Sequence, residues 1–306
     1  MSAETIVDDI SRPFQLEQSA LRGRLIRLGD TVDLVLTRHN YPPAVSRLLG
    51  EMFVLAATLA GGLKFEGTFS LQTRGNGPVS LMVADCTHSG AMRGYAKFDA
   101  DAVAAVDETT VPRLLGEGHF AVTVDQIDQA TAYQGLVELD GDTLTDCMQK
   151  YFRQSEQVRT GMKIAVERVP AGDDMIWRAG AVMVQSIADD NPEDDGSKAL
   201  EDWRRTMLLL GTVKDTELID PDLSPERLLL RLFHEEGVRV YDAQPLSFRC
   251  RCSRERVETL LRQFNTADIE DMKLDDGALE VTCEFCNERY RFEEKAVATV
   301  LGTQNH

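Results

Sequence analysis

Residues 21–36 alternate apolar and polar positions around Gly29-Asp30, the pattern of a strand pair. His39-Asn40-Tyr41-Pro42-Pro43 must be a loop or turn, since successive prolines block regular hydrogen bonding. Over residues 43–60 the apolar positions are Val45, Leu48, Leu49, Met52, Phe53, Val54, Leu55, Ala56, Ala57 and Leu59. From the second turn onward that is apolar nearly all round, which predicts a helix buried between other layers and stopped by Gly61-Gly62. Alternation through Phe65, Phe69 and Leu71, the turn Gly75-Asn76-Gly77-Pro78 and the apolar run 79–84 predict a hairpin. Residues 92–98, 120–124, 132–139, 162–166 and 176–187 also read as strands. Residues 143–158 read as an amphipathic helix carrying Leu144, Cys147, Met148, Tyr151 and Phe152. Many strands and few helices, without regular βαβ alternation, give an α+β class.

Residues 189–198 (D-D-N-P-E-D-D-G-S-K) break this pattern and mark a boundary. From Asp173 to Asp222 there are 13 acidic and 5 basic residues, a net of −8. Beyond the run, a helix over 199–211 carries Leu200, Trp203, Met207 and Leu210. A second, from Ser224 to Glu236, has Ser224 as N-cap, Pro225 in the first turn and Gly237 as a stop. Its Leu228, Leu229, Leu230, Leu232 and Phe233 leave little polar surface. Packing on the first domain is the simpler reading of the two helices; the functional reading is a linker whose apolar faces can be uncovered. The division expected is 1–188, 189–247 and 248–306.

Composition narrows the classes. The formal charge is −18 over 306 residues, which argues against a general nucleic-acid surface. Residues 1–18 are acidic without an apolar core, so no secretory signal is expected, and the apolar run 53–63 is too short to span a bilayer. A reducing cytoplasm is the expected compartment.

Four of the six cysteines lie near the C-terminus: Cys250-x-Cys252, then 30 residues, then Cys283-x-x-Cys286. Two thiol pairs on separate segments are what a tetrahedral ion needs, and four thiolates suit one zinc. Ser253 can cap a helix bearing Val257, Leu260, Leu261 and Phe264. Leu279 and Val281 lead into Cys283, and Tyr290 and Phe292 lead away from Cys286, so the second pair sits at a hairpin tip. Arg249, Arg251, Arg254 and Arg256 surround the first pair, where cations would stabilise a zinc–tetrathiolate. A structural zinc knuckle, an iron–sulfur site, two constitutive disulfides and a redox switch all remain open at this point.

Other chemistry is sparse. His39, His88, His119, His234 and His306 form no metal spacing, and the chain has no G-x-S-x-G, P-loop or G-x-G-x-x-G. Cys86 and Cys147 read as buried apolar positions, and a catalytic Cys86–His88 pair has no further support. The protein is not expected to be an enzyme.

Several blocks carry a family resemblance: Asn40-Tyr-Pro-Pro-Ala-Val-Ser-Arg-Leu-Leu-Gly-Glu, Phe65-Glu-Gly-Thr-Phe-Ser-Leu-Gln-Thr, Tyr133-Gln-Gly-Leu-Val-Glu-Leu-Asp-Gly-Asp, Tyr151-Phe-Arg-Gln-Ser-Glu-Gln, and Ser224-Pro-Glu-Arg-Leu-Leu-Leu-Arg-Leu-Phe-His-Glu-Glu-Gly ahead of the cysteine pairs. In this order they resemble the redox-regulated 33 kDa heat-shock chaperones of bacteria. The resemblance implies an N-terminal sandwich of β-sheets with a buried central helix, a helical linker and a small zinc domain. It implies Cys250, Cys252, Cys283 and Cys286 as ligands of one zinc in an inactive reduced monomer. It further implies that oxidative and heat stress form disulfides Cys250–Cys252 and Cys283–Cys286, release zinc, unfold the linker and yield a homodimer. That dimer would hold unfolded client proteins without ATP, with no nucleic-acid or membrane partner. The alternative is a constitutive zinc-stabilised binding protein with a ribosomal or nucleic-acid partner. The acidic 189–195 run has no counterpart in the pattern.

Overall fold

The structure, a computed structural model, describes residues 8–127, 133–187 and 197–297. Strands β1 (Ile10–Leu16) and β2 (Leu21–Leu28) pair antiparallel, with Phe14 opposite Gly23. The second half of the 21–36 stretch is not a strand but helix α1 (Asp30–Arg38). Val32, Val35 and Leu36 share its buried face. The helix start is held by Asp9, which accepts from the Gly29 and Thr31 N–H groups at 3.0 and 3.2 Å. A carboxylate at a helix N-terminus complements its unpaired donors. Asp9 is remote in sequence, which is why local alternation misread the segment.

Helix α2 (Pro43–Ala60) is buried on nearly every side, as its unbroken apolar surface predicts. It is long and apolar enough to cross a membrane by composition, but here that surface is enclosed by protein. Then come β3 (Gly67–Gly75), β4 (Val79–Thr87), β5 (Ala91–Phe98), short helices α3 (Ala100–Ala104) and α4 (Val111–Leu114), β6 (Gly118–Gln126) and β7 (Tyr133–Glu138). Helix α5 (Leu144–Tyr151) opens with a Thr143–Asp146 capping box, then widens into a π turn over Phe152–Glu156, so the helix predicted to 158 is regular only in its first half. Strands β8 (Thr160–Ala171) and β9 (Asp174–Ser186) form a long hairpin. The acidic segment 189–196 lies outside the described residues.

Helices α6 (Ser197–Gly211), α7 (Asp215–Ile219) and α8 (Pro225–Phe233) follow, then a 3-10 turn (His234–Glu236) and strands β10 (Val238–Val240), β11 (Gln244–Pro245) and β12 (Ser247–Phe248). Ser224 caps α8 by accepting from Arg227 N–H, and Gly237 leaves the turn in a left-handed conformation, both as expected. One sheet runs β10-β1-β2-β9-β8, with β11 also on β1; the other runs β12-β5-β4-β3-β6-β7. Helix α2 packs against strands of both. The first sheet has a second apolar face, where Phe14, Leu25, Val182 and Val184 meet Leu210, Leu218, Leu229 and Phe233 of the covering helices. The fold is α+β.

Contacts divide the chain into two units, Met1–Phe248 and Arg249–His306. The second contains α9 (Arg254–Leu261), α10 (Thr266–Asp271) and the hairpin β13 (Leu279–Thr282)–β14 (Arg289–Phe292). Its core consists of Val257, Leu261, Ile269, Leu279, Phe292 and Val297. Leu260 and Phe264, at helical spacing with Val257 and Leu261, are instead exposed.

Candidate metal centre

Two turns build the site. Cys250 and Cys252 lie on the segment entering α9, whose N-cap Ser253 accepts from Arg256 N–H. Arg254 stacks over the Phe292 ring at 4.3 Å and donates to Arg291 O at 3.0 Å, tying this segment to β14. Arg256 donates to Arg251 O at 2.6 Å. These two of the four neighbouring arginines are thus engaged with the scaffold. The other turn is the hairpin tip: Cys283 N–H donates to Glu288 O at 2.9 Å, and Asn287 N–H to Cys283 O at 2.8 Å. Asn287 has φ 56°, a left-handed conformation that asparagine tolerates and that lets the tip close.

The turns bring the four sulfurs within 4.8 Å of one another. Cys250 Sγ is 3.6 Å from Cys283 Sγ, and Cys252 Sγ is 3.3 Å from Cys286 Sγ. Zinc–sulfur bonds of about 2.3 Å in a tetrahedron separate the sulfurs by about 3.8 Å. The spacing here is close to that, so the donor set fits one tetrahedral ion.

As free thiols, the four are not equivalent. Burial pushes Cys250 up to about 11, and raises Cys286 as well. Burial also acts upward on Cys252, but hydrogen bonds from the Tyr290 hydroxyl and the neighbouring thiols outweigh it, so its pKa falls. Tyr290 Oη donates to Cys252 Sγ at 3.1 Å. In the sequence Tyr290 stood out only as an alternating strand residue; its place opposite Val281, next to the tip, brings the hydroxyl to the sulfur. A cation among the sulfurs would be the largest local charge and would deprotonate the remaining thiols.

The other cysteines are elsewhere. Cys86 is buried in β4, donates to Thr87 O at 3.6 Å and has its pKa pushed up to about 12 by burial and by Asp85. His88 Nδ1 accepts from Gly67 N–H at 3.1 Å. A buried, protonated thiol beside an engaged imidazole is not a nucleophile–base pair. Cys147 is buried in α5, with its pKa raised to about 11, chiefly by burial.

A profile of the family described as "Hsp33 protein" matches residues 9–293. A 33 kDa chaperonin of Caulobacter vibrioides (strain NA1000 / CB15N) is 42% identical over 292 residues, covering 94% of this chain and 96% of that protein. One from Pseudomonas fluorescens (strain SBW25) is 36% identical over 295 residues, covering 96% and 94%. The crystal structure of a 33 kDa chaperonin (heat shock protein 33 homolog) from Thermotoga maritima shares the fold, with a TM-score of 0.77 at 23% identity, over 97% of this chain and 99% of that one. The chain therefore belongs to the Hsp33 family of 33 kDa chaperonins.

Proposed function

We propose that this protein is an ATP-independent holdase chaperone switched by the oxidation state of Cys250, Cys252, Cys283 and Cys286. The observation that carries the reading is the convergence of four sulfurs within 4.8 Å in a small unit with a core of a few buried side chains. Zinc, when bound, would keep all four sulfurs ionised and tie the first turn to the hairpin tip. Sulfurs this close surround one ion better than a multi-iron cluster.

Within each pair, one thiolate gives two electrons to peroxide and becomes a sulfenic acid, releasing hydroxide. The second thiolate then attacks it, forming the S–S bond and releasing the sulfenic oxygen as hydroxide. Two peroxides convert the four thiolates to Cys250–Cys252 and Cys283–Cys286. No thiolate ligand remains. Structural zinc contributes on the order of 10–16 kcal/mol in small peptides, more than so small a core replaces. The chain runs from β12 directly into Cys250, so collapse of the 248–306 switch region releases the preceding 189–247 linker. Helices α6–α8 then leave the first sheet of the 1–188 core. The uncovered face holds unfolded proteins, and the oxidised chain is a homodimer. The setting is the cytoplasm under oxidative and heat stress.

The experiment compares zinc-loaded reduced protein with peroxide-treated protein in suppressing aggregation of a thermally unfolding client. Suppression should require oxidation. Equal suppression in both states refutes the switch. RNA binding by the reduced form at low salt would favour a constitutive zinc-stabilised partner protein instead.

A further inference from the structure

The first-sheet face beneath α6–α8 is not simply apolar. In a chain of net charge −18, four cations of that sheet reach the covering helices. Arg12 meets Glu226 of α8 at 2.6 Å, and Lys163 meets Asp215 of α7 at 2.8 Å. Arg27 and Arg178 instead grip main-chain carbonyls at the C-terminal end of α7. Arg27 Nη2 donates to Glu217 O at 3.1 Å and its Nη1 to Asp220 O. Arg178 Nε donates to Ile219 O at 2.7 Å, while its Nη2 holds Asp8 at 2.7 Å. Gly180 stands opposite Arg27 in the sheet, and a Cβ there would lie 2.3 Å from Leu218 O. The missing side chain is what lets the α7 backbone sink between the two guanidinium groups.

The grip is least compensated at Arg27: Arg178 has Asp8 as an ion-pair partner, whereas Arg27 hydrogen-bonds to uncharged main-chain carbonyls, and Asp8, Asp220 and Glu226 act on it through space. Arg27 is wholly buried, and its Nε has no hydrogen-bond partner. Burial pulls its pKa down to about 10. Helix α7 thus displays what the socket accepts: two adjacent buried apolar side chains, Leu218 and Ile219, followed by converging carbonyl oxygens. A carboxylate would serve better than those carbonyls, because guanidinium pairs with it bidentately.

We propose that the Arg27–Gly180–Arg178 socket, once α7 leaves, binds client segments of the same chemistry: a short apolar turn ending in carbonyl oxygens or a carboxylate, within acidic amphipathic sequence. The inference rests on the reading that oxidation uncovers this sheet. In the closed protein, α7 competes intramolecularly at an effective concentration in the millimolar range. The reduced form therefore presents no free socket.

The test uses a fluorescein-labelled peptide of residues 212–223 and anisotropy titrations with the full-length protein, reduced and peroxide-treated. The peptide should bind the peroxide-treated form, and bind the reduced form at least about tenfold more weakly. Replacing Leu218 and Ile219 of the peptide by serine should cost about tenfold or more, as should Arg178→Met in the oxidised protein, given the strength of hydrogen bonds to charged groups. The peptide variants report even if the protein variant fails to fold. Oxidised protein that holds clients but does not distinguish the native from the serine peptide overturns the socket alone. Loss of both client holding and peptide binding overturns the holdase reading and the socket with it.

Discussion

Gly180→Ala tests whether docking of α7 keeps the first sheet covered. Alanine is tolerated in a strand, so the perturbation is steric rather than conformational. The new Cβ would stand 2.3 Å from Leu218 O, 3.0 Å from its carbonyl carbon and 3.3 Å from its Cβ. Carbon–oxygen contacts settle at about 3.3 Å or more, so α7 must back away by about 1 Å. The two nearest of these atoms are backbone and the third is a Cβ, so no flexible side-chain end can give way. That shift pulls the Glu217, Ile219 and Asp220 carbonyls from Arg27 and Arg178. Hydrogen bonds to charged groups contribute about 1.5–3 kcal/mol each, and loosening three of them weakens docking by about 2–4 kcal/mol. The assay is hydrogen exchange over 197–236 in the zinc-loaded reduced protein, alongside client aggregation without oxidant. Exchange should rise by a factor of about 30 or more, and client holding should appear in the reduced state. Gly211→Ala is the control, because a Cβ there meets nothing within 4 Å. Reduced Gly180→Ala protein with wild-type protection and no client holding would refute the reasoning.

Glu51 on α2 has a carboxyl oxygen, Oε2, that is shut off from solvent without a partner, and burial followed by Asp146 raises its pKa from 4.5 to about 7. Between those values the folded chain keeps a proton that the unfolded chain releases, so the cost of ionisation is complete above pH 7 and absent below pH 4.5. Glu51→Gln should therefore stabilise the first unit by about 3 kcal/mol at pH 8, a gain that urea melts should show vanishing toward pH 4.5. Tyr290→Phe removes the donor to Cys252 Sγ and should weaken zinc binding about 10–100-fold in chelator competition; unchanged affinity would make that hydrogen bond incidental. Stripping zinc with a chelator under reducing conditions should abolish the ordered 249–297 unit by NMR, while the first unit's methyl signals persist. Cys86→Ala should leave client holding intact, and a loss would return Cys86 to the site.

Local pattern revealed what is locally determined. Helix α2 was legible because an apolar surface on every side has no other home, and the hairpin at the metal centre because Leu279, Val281, Tyr290 and Phe292 alternate about Cys283-x-x-Cys286. Helix α1 was not, because Thr31, Val32 and Val35 suit a strand and the Asp9 cap lies about 20 residues away. Leu260 and Phe264 show the converse limit: helical spacing marks a stripe, but the small core reaches only Val257 and Leu261. The four cysteines announced themselves by spacing, whereas Tyr290 depended on strand register. Arg27 and Arg178 were invisible, since buried arginines that hold carbonyls 190 and 41 residues away leave no local mark.

The central claim is that oxidation of the four clustered thiols ejects zinc and thereby activates client holding. It is tested most directly by counting zinc and free thiols in one sample before and after peroxide, with client holding measured on the same aliquots. Before treatment each chain should carry one zinc and six reduced cysteines, four of them on the zinc. Afterwards there should be no zinc, only the buried Cys86 and Cys147 as thiols, and client holding that rises as zinc is lost. Zinc retained at one per chain while client holding appears, or zinc lost without any client holding, would contradict the claim.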